Sequence, residues 1–455
     1  MTEIGSLLDL PEAILLDLTV LTVCGILLLR FARLSHSHPG TIYLFFHAYA
    51  FTFRMLGIAF GAQTLFSSLA WVFEPVKIEE IIRAAAYGDI ALLAITIGSI
   101  RASVVDKRVM SRSPESAIEP PPNLYARYIW LIVILVFPLG LFGLYTFSFI
   151  PGFTGDRMEL GEWQTSSWLG ITQVWTGLAL LALIYWYGFK WWLSTLMSIY
   201  LVLMAFQGLH RFRVIIPVLL LTQIFLDRRK MRWPPAYVMV LIIGIAFLFF
   251  PLKNIGRMAQ EGEAVNQIIS ESKETINSAL AAEAPDQTFL DLFACALTLI
   301  DENDKLYYGR TYLDLITLPV PRQWWPDKPS LADYIQDISR PWRPMGEMGM
   351  IVTYLGESYV NFGFLGIIIV PYLVGYALAR AHFRAYRSNY FSVTRFAYLL
   401  LACNLIQVYR DGLVSIIVFT CVNMMPLVLI VLLHYILPTR QTNKLVSDRV
   451  PAGLQ

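Results

Sequence analysis

The chain has 455 residues, of which 56% are hydrophobic and only 15% charged, well under the roughly one quarter charged that soluble domains carry. That balance excludes an ordinary soluble enzyme and points to an all-α integral membrane protein. The net charge of +2 means little, since it averages over two aqueous compartments, and no nucleic-acid partner is expected.

Apolar runs long enough for a helix to cross hydrocarbon recur along most of the chain. About eleven are predicted, at 12–30, 42–64, 82–100, 128–150, 167–189, 191–208, 212–227, 235–252, 363–382, 392–409 and 413–437. The acidic start (Glu3, Asp9, Glu12) argues against a cleaved signal peptide. Arg30 and Arg33 follow the first run, and Arg101, Lys107, Arg108 and Arg112 follow the third. Arg228, Arg229 and Lys230 follow the seventh, Arg380, Arg384 and Arg387 the ninth, and Arg440 and Lys444 the last. If the spans alternate, all of these fall on one side, which the positive-inside rule makes cytoplasmic. The N-terminus is then outside, the C-terminus inside, and the long hydrophilic stretch 253–348 extracytoplasmic. The expected organisation is an N-terminal bundle of about eight helices over 1–252, an outer loop with short helices over 253–348, further spans over 349–437, and a cytoplasmic tail over 438–455.

The four cysteines, Cys24, Cys295, Cys403 and Cys421, form no CxxC pair, so neither a zinc site nor a disulfide framework is suggested. There is no Walker loop, dinucleotide fingerprint or nucleophile elbow. No cofactor and no metal are expected, and any energy needed arrives with the substrate or as an ion gradient.

Candidate site residues come from the charges that this topology places outside, where arginine runs against the orienting trend. His210, Arg211 and Arg213 lie in QGLHRFR; Arg310, Arg322, Lys328, Arg340 and Arg343 lie in the long loop; Arg410 and Asp411 lie between the last two spans. Arginine in such places either pairs with a carboxylate such as Asp301, Glu302, Asp304 or Asp327, or grips phosphate with its planar fork. His210 is a candidate proton acceptor or simply a solvated histidine at a helix end. Glu357, in GESYVNFG, is a candidate base, an arginine partner, or a helix-start carboxylate. Asn361 with Gly363 reads as a cap or turn. Arg54 and Asp89 lie at similar depth in neighbouring spans, which predicts an ion pair between them. Trp324, Trp325, Trp342, Tyr307, Tyr308, Tyr334 and Tyr359 suit the apolar faces of sugars, or an interfacial belt. The prolines of PVPRQWWPDKPS favour a stiff, extended segment.

The stretch YYGRTYL…LPVPRQWWPDKPS, followed by GESYVNFGFLG and a further span, resembles the Wzy-type polymerases, most clearly over about 305–380. QGLHRFR extends the likeness more weakly, its arginine turn lacking the expected neighbouring glycine. The resemblance implies a bacterial inner-membrane, inverting glycosyltransferase. Such an enzyme joins polyprenyl-pyrophosphate-linked oligosaccharide repeat units into O-antigen, capsule or exopolysaccharide at the periplasmic face. Arg211, Arg213, Arg322 and Arg410 would then hold pyrophosphate, with Lys328, Arg340, Arg343, Trp324 and Trp325 completing the glycan and pyrophosphate site. His210 or Glu357 would be the base, and a chain-length regulator protein a possible partner. A polysaccharide ligase shares nearly all these features. A lipid-linked oligosaccharide flippase or ion-coupled carrier is the other alternative, though it would more often show paired halves and broken helices, neither of which is evident in the sequence.

Overall fold

The computed structural model describes residues 8–32, 34–61, 76–112, 137–145, 163–206, 212–238, 240, 270–271, 273, 289–303, 306–317, 324–325, 353–388, 391–413, 420, 423–429 and 432. Helices account for nearly all of it, and there is no strand among the described residues. The elements are α1 (Leu10–Phe31), α2 (Pro39–His47), a π-turn (Ala48–Thr52), α3 (Phe53–Ala59), α4 (Ile78–Arg112), α5 (Trp163–Tyr187) and α6 (Trp191–Phe206). They continue with α7 (Phe212–Arg228), α8 (Phe289–Asn303), α9 (Arg310–Thr317), α10 (Tyr354–Arg387) and α11 (Val393–Asp411).

Four stretches are long and apolar enough to cross a membrane: Leu10–Phe31, Pro39–Ala59, Ile78–Lys107 and Tyr354–Arg387. The runs at 167–189, 191–208, 212–227 and 392–409 are also helical, but their described parts are shorter or more charged. The runs at 128–150, 235–252 and 413–437, and most of 253–348, lie largely outside the described residues.

Local chemistry sets the helix starts. Asp9 N–H donates to the Glu12 carboxylate at 3.3 Å, and a proline opens the first turn of α1. Ser392 accepts from Arg395 N–H at 3.1 Å ahead of α11, and Thr353 accepts from Gly356 N–H at 3.2 Å ahead of α10. The outward faces of α1 and α10 stay apolar: Leu15, Ile26, Leu29, Leu365, Ile369 and Leu373 are all exposed, as a lipid-facing surface requires.

At the centre, α4 and α10 approach to backbone contact. A Cβ on Gly98 would stand 2.2 Å from the Tyr372 carbonyl oxygen, and one on Gly375 would stand 2.4 Å from that of Ile95. Small residues permit this proximity, and dispersion between the two backbones rewards it. Gly98→Val is expected to force the helices apart and cost on the order of 1–3 kcal/mol. Thermal unfolding in detergent measures this; an unchanged midpoint would show that the contact is dispensable.

Two apolar cores result. One joins α1–α4, α8 and the first half of α10; the other joins α5, α6 and α7. Helix α11 enters both, with Phe396, Leu399, Leu400 and Cys403 in the second core and Leu405, Val408 and Tyr409 in the first. Part of the stretch read as an outer loop therefore belongs to the core, since Leu290, Phe293 and Leu297 of α8 are fully buried.

The basic helix ends gather at one end of the molecule. Ser103 Oγ donates to Phe31 O at 2.9 Å, His36 N–H to Arg232 O at 3.1 Å, and Tyr398 OH to Ser37 O at 2.7 Å. Arg387 pairs with Asp106, and Arg395 Nε donates to Asp227 at 3.1 Å. The opposite end is tied by Arg83 to Asp301 at 2.7 Å, and by Tyr359 OH to the other oxygen of Asp301 at 2.6 Å.

Arg54 does not take Asp89 as its partner: its Nε and Nη2 each donate at 2.8 Å to the two oxygens of Asp291 on α8, while Asp89 faces His47. The planar fork of arginine favours this two-point grip, and a loop-segment helix supplied a carboxylate that depth along the spans could not reveal. One helix is also broken, contrary to the sequence reading: Gly363 in α10 has φ 58 and ψ −145.

Candidate functional site

The break at Gly363 builds the site. It splits α10 into a short, wholly buried segment, 354–361, and a long one that packs on α4 along one side and exposes apolar residues on the other. The two fold so sharply that a Cβ on Gly366 would lie 2.1 Å from Ser358 O. A break frees carbonyls that the next helical turn would have used. Those of Val360 and Asn361 instead accept from Tyr307 N–H at 3.0 Å and Tyr308 N–H at 2.9 Å. The positive φ at Gly363 is cheap for glycine alone, so the cap-or-turn reading of the Asn361–Gly363 pair was sound for the turn.

Polar side chains of the short segment converge with those of α9. Glu357 is buried, and its Oε2 accepts from Leu413 N–H at 2.6 Å, just past the end of α11. Asn361 Nδ2 donates to Thr311 Oγ1 at 2.6 Å and to Glu357 O at 2.8 Å. Tyr312, beside Thr311, has its phenol pushed up by burial and then by the Glu357 carboxylate, so it stays a neutral donor.

Behind Glu357 the rings of Tyr43, Tyr354 and Tyr409 meet, with centroids 5.7 Å apart for Tyr43–Tyr354, 4.8 Å for Tyr43–Tyr409 and 5.3 Å for Tyr354–Tyr409. The hydroxyls of these three are buried, those of Tyr43 and Tyr354 facing one another, and the buried Tyr312 hydroxyl faces Ser358 and Asn361. Buried polar atoms normally find partners. Tyr312 stands against the Glu357 carboxylate and the three ring-cluster hydroxyls gather on the far side of Tyr354, so this end of α10 is rich in donors, suited to a polyhydroxylated or anionic ligand. None of the three ring-cluster tyrosines was singled out from sequence, because each lies in or beside an apolar run where an aromatic residue reads as core.

Arg410 is the last-turn basic residue of α11, 3.4 Å from Asp411, and Leu413 ties that turn to Glu357. Arg213 begins α7 and donates to Gln173 Oε1 at 3.1 Å. Among the described residues no carboxylate pairs with Arg213. The register of α7 and α11 is pegged by the Arg395–Asp227 pair and their shared core, and the two helices run antiparallel. Arg213 lies 14 residues before Asp227 and Arg410 lies 15 after Arg395, or roughly 21 and 23 Å of helix. Counted along the helices, the two residues thus lie at similar distances from that pair, toward the ends opposite the basic termini.

Of the sequence candidates, the structure thus brings Glu357 and Arg410 into one neighbourhood. Trp324, Trp325 and Tyr308 are all exposed. Tyr359, expected at a sugar face or in an interfacial belt, is instead buried against Asp301. Asp301, one of the carboxylates offered as a partner for the loop arginines, pairs with Arg83. His210, Arg211, Arg322, Lys328, Arg340 and Arg343 lie outside the described residues.

A helical chain with membrane-length apolar helices, carrying a buried carboxylate tied to the arginine-bearing end of α11, has the make-up of a membrane protein with a buried polar site. Residues 329–441 match the family model of O-antigen polysaccharide polymerase Wzy, which bears out the likeness read from the sequence. The matched segment includes α10, α11, Glu357 and Arg410 and covers about a quarter of the chain. Neither a curated protein nor a solved structure matches.

Proposed function

We propose that the chain is a polymerase that joins lipid-pyrophosphate-linked oligosaccharide repeat units into an O-antigen-type surface polysaccharide. The observation that carries this reading is that the segment matching the Wzy model is the one that holds Glu357 and Arg410 together. The basic end of the molecule is cytoplasmic on this reading, by the positive-inside rule, and the site opens at the periplasmic face of the inner membrane. About eleven spans and the large loop frame it.

In the reaction an acceptor sugar hydroxyl attacks the anomeric carbon of the donor glycan. Its proton passes to the Glu357 carboxylate, a new C–O bond forms, and the anomeric carbon–phosphate oxygen bond breaks with its electron pair leaving on the polyprenyl pyrophosphate. Attack from the face opposite the leaving group inverts the anomeric centre. Arg410 and Arg213 hold the pyrophosphate and stabilise the charge that grows there. Arg211, Arg322, Lys328, Arg340 and Arg343 extend the anion-binding surface, Trp324 and Trp325 offer stacking faces for sugar rings, and His210 is the alternative base. A chain-length regulator is the expected protein partner.

Broken helices also serve carriers, so the Gly363 break supports the flippase alternative to that extent. The deciding experiment gives purified protein in vesicles the host's lipid-linked repeat unit without nucleotide. A ladder of longer lipid-linked glycans is expected, and Arg410→Ala is expected to lower its yield by about 100-fold or more, the loss of one oxyanion-type contact. Movement of the repeat unit across the vesicle without a ladder would establish the carrier instead.

A further inference from the structure

Asp17 and His47 take no part in the proposed reaction. Both are wholly buried, on α1 and α2, and Asp89 of α4 is buried beside them. His47 Nε2 lies 2.8 Å from Asp17 Oδ1 and 3.4 Å from Asp89 Oδ1. One potential ligand atom from each of the three falls within 4.8 Å of the others. Among the described residues no lysine or arginine pairs with either carboxylate. Even a charged imidazole balances only one of the two carboxylates, so inside an apolar core the cluster must share a further proton or bind a cation.

Further features mark the place as built. Asp17 Oδ2 is buried without a hydrogen-bond partner among the described residues. The chain widens into a π-turn, Ala48–Thr52, immediately after His47, and single π-turns inside helices are frequent at functional sites. The His47 ring is clamped as well: it stacks on Phe51 at 4.7 Å with planes 3° apart. Phe51 in turn presses on Gly88, where a Cβ would come within 2.6 Å of the ring. A ligating histidine is ordinarily oriented by a hydrogen bond from its second nitrogen. Nδ1 of His47 has no such partner among the described residues, so stacking on Phe51 fixes the ring instead, and Gly88 admits the stack next to Asp89.

We infer that Asp17, His47 and Asp89 form a binding site for a divalent first-row transition cation, embedded among three helices and behind the tyrosine cluster. Two carboxylates balance a dication, and the imidazole selects transition metals over calcium or magnesium. Three protein ligands suit a four-coordinate ion with one remaining position. The ion would join α1, α2 and α4, one helical turn from Tyr43, whose ring centroid lies 6.2 Å from that of His47. Its place is in the frame of the site, away from the reacting sugars.

The test uses the full chain without a polyhistidine tag, in detergent, stripped with chelator, desalted, and titrated with Co²⁺. One equivalent is expected to produce visible d–d absorption that Zn²⁺ abolishes. His47→Gln and Asp17→Asn are expected to remove the band, and Gly88→Ala to weaken Co²⁺ binding about 10-fold or more by tilting the ring. Absence of a stoichiometric band in the unsubstituted protein overturns the proposal without recourse to any variant, as does an unchanged band in a monodisperse His47→Gln protein. The readout is metal binding, so it stands or falls separately from polymerase activity.

Discussion

Glu357→Gln is expected to stop chain growth while leaving the protein folded. The amide oxygen can still accept from Leu413 N–H, which lies 2.6 Å from Glu357 Oε2, so the tie between α10 and the end of α11 survives. The substitution removes the group that takes the proton from the attacking hydroxyl, a contribution of roughly 100- to 10,000-fold in rate. Glu357→Ala removes the tie as well. It leaves the Leu413 N–H without this acceptor and adds a stability loss of about 1–3 kcal/mol. The two variants therefore separate chemistry from structure: a Gln variant that is inactive with an unchanged melting midpoint supports the base. A Gln variant that makes full-length polymer would move the base elsewhere, with His210 the remaining candidate.

The second large effect concerns stability. Arg54 and Asp291 are both buried and joined by two 2.8 Å contacts. Arg54→Ala leaves the Asp291 carboxylate buried without its cation, and a loss on the order of 3–5 kcal/mol is expected. The double substitution Arg54→Leu with Asp291→Leu is expected to cost much less than either single change, since two apolar side chains need no compensation. Denaturation of the purified variants, combined as a double-mutant cycle, measures the coupling. If the single and double variants melt alike, the pair does not hold α8 to α3, and the core placement of α8 must rest on its apolar face alone.

The sequence was informative wherever the signal lay along one helix. Charge at the ends of apolar runs grouped Arg30, Arg101, Arg228 and Arg387 on one side, and the structure gathers those helix ends together. Glu357 stood out because a carboxylate at the head of an apolar run is costly unless it faces protein. The signal failed where the deciding contact joins distant segments. Asp291 sits in a stretch that read as aqueous loop, so its grip on Arg54 could not be foreseen from depth. Arg83 and Asp301 are 218 positions apart. Asp17, His47 and Asp89 carry no metal-site spacing because each comes from a different helix. Tyr43, Tyr354 and Tyr409 look like ordinary core aromatics, and only their assembled hydroxyls distinguish them.

The link between Glu357 and Leu413 spans 56 residues, which bears on how the protein is made. The segment Tyr354–Arg387 is one hydrophobic unit as it leaves the ribosome, yet its first turns carry Glu357, Ser358 and Asn361. Until α11 follows, that carboxylate lacks its Leu413 partner, and the Tyr354 ring lacks Tyr409. Maturation of the buried half of α10 must therefore wait for α11, so the region around Glu357 is among the last parts of the molecule to be completed during synthesis.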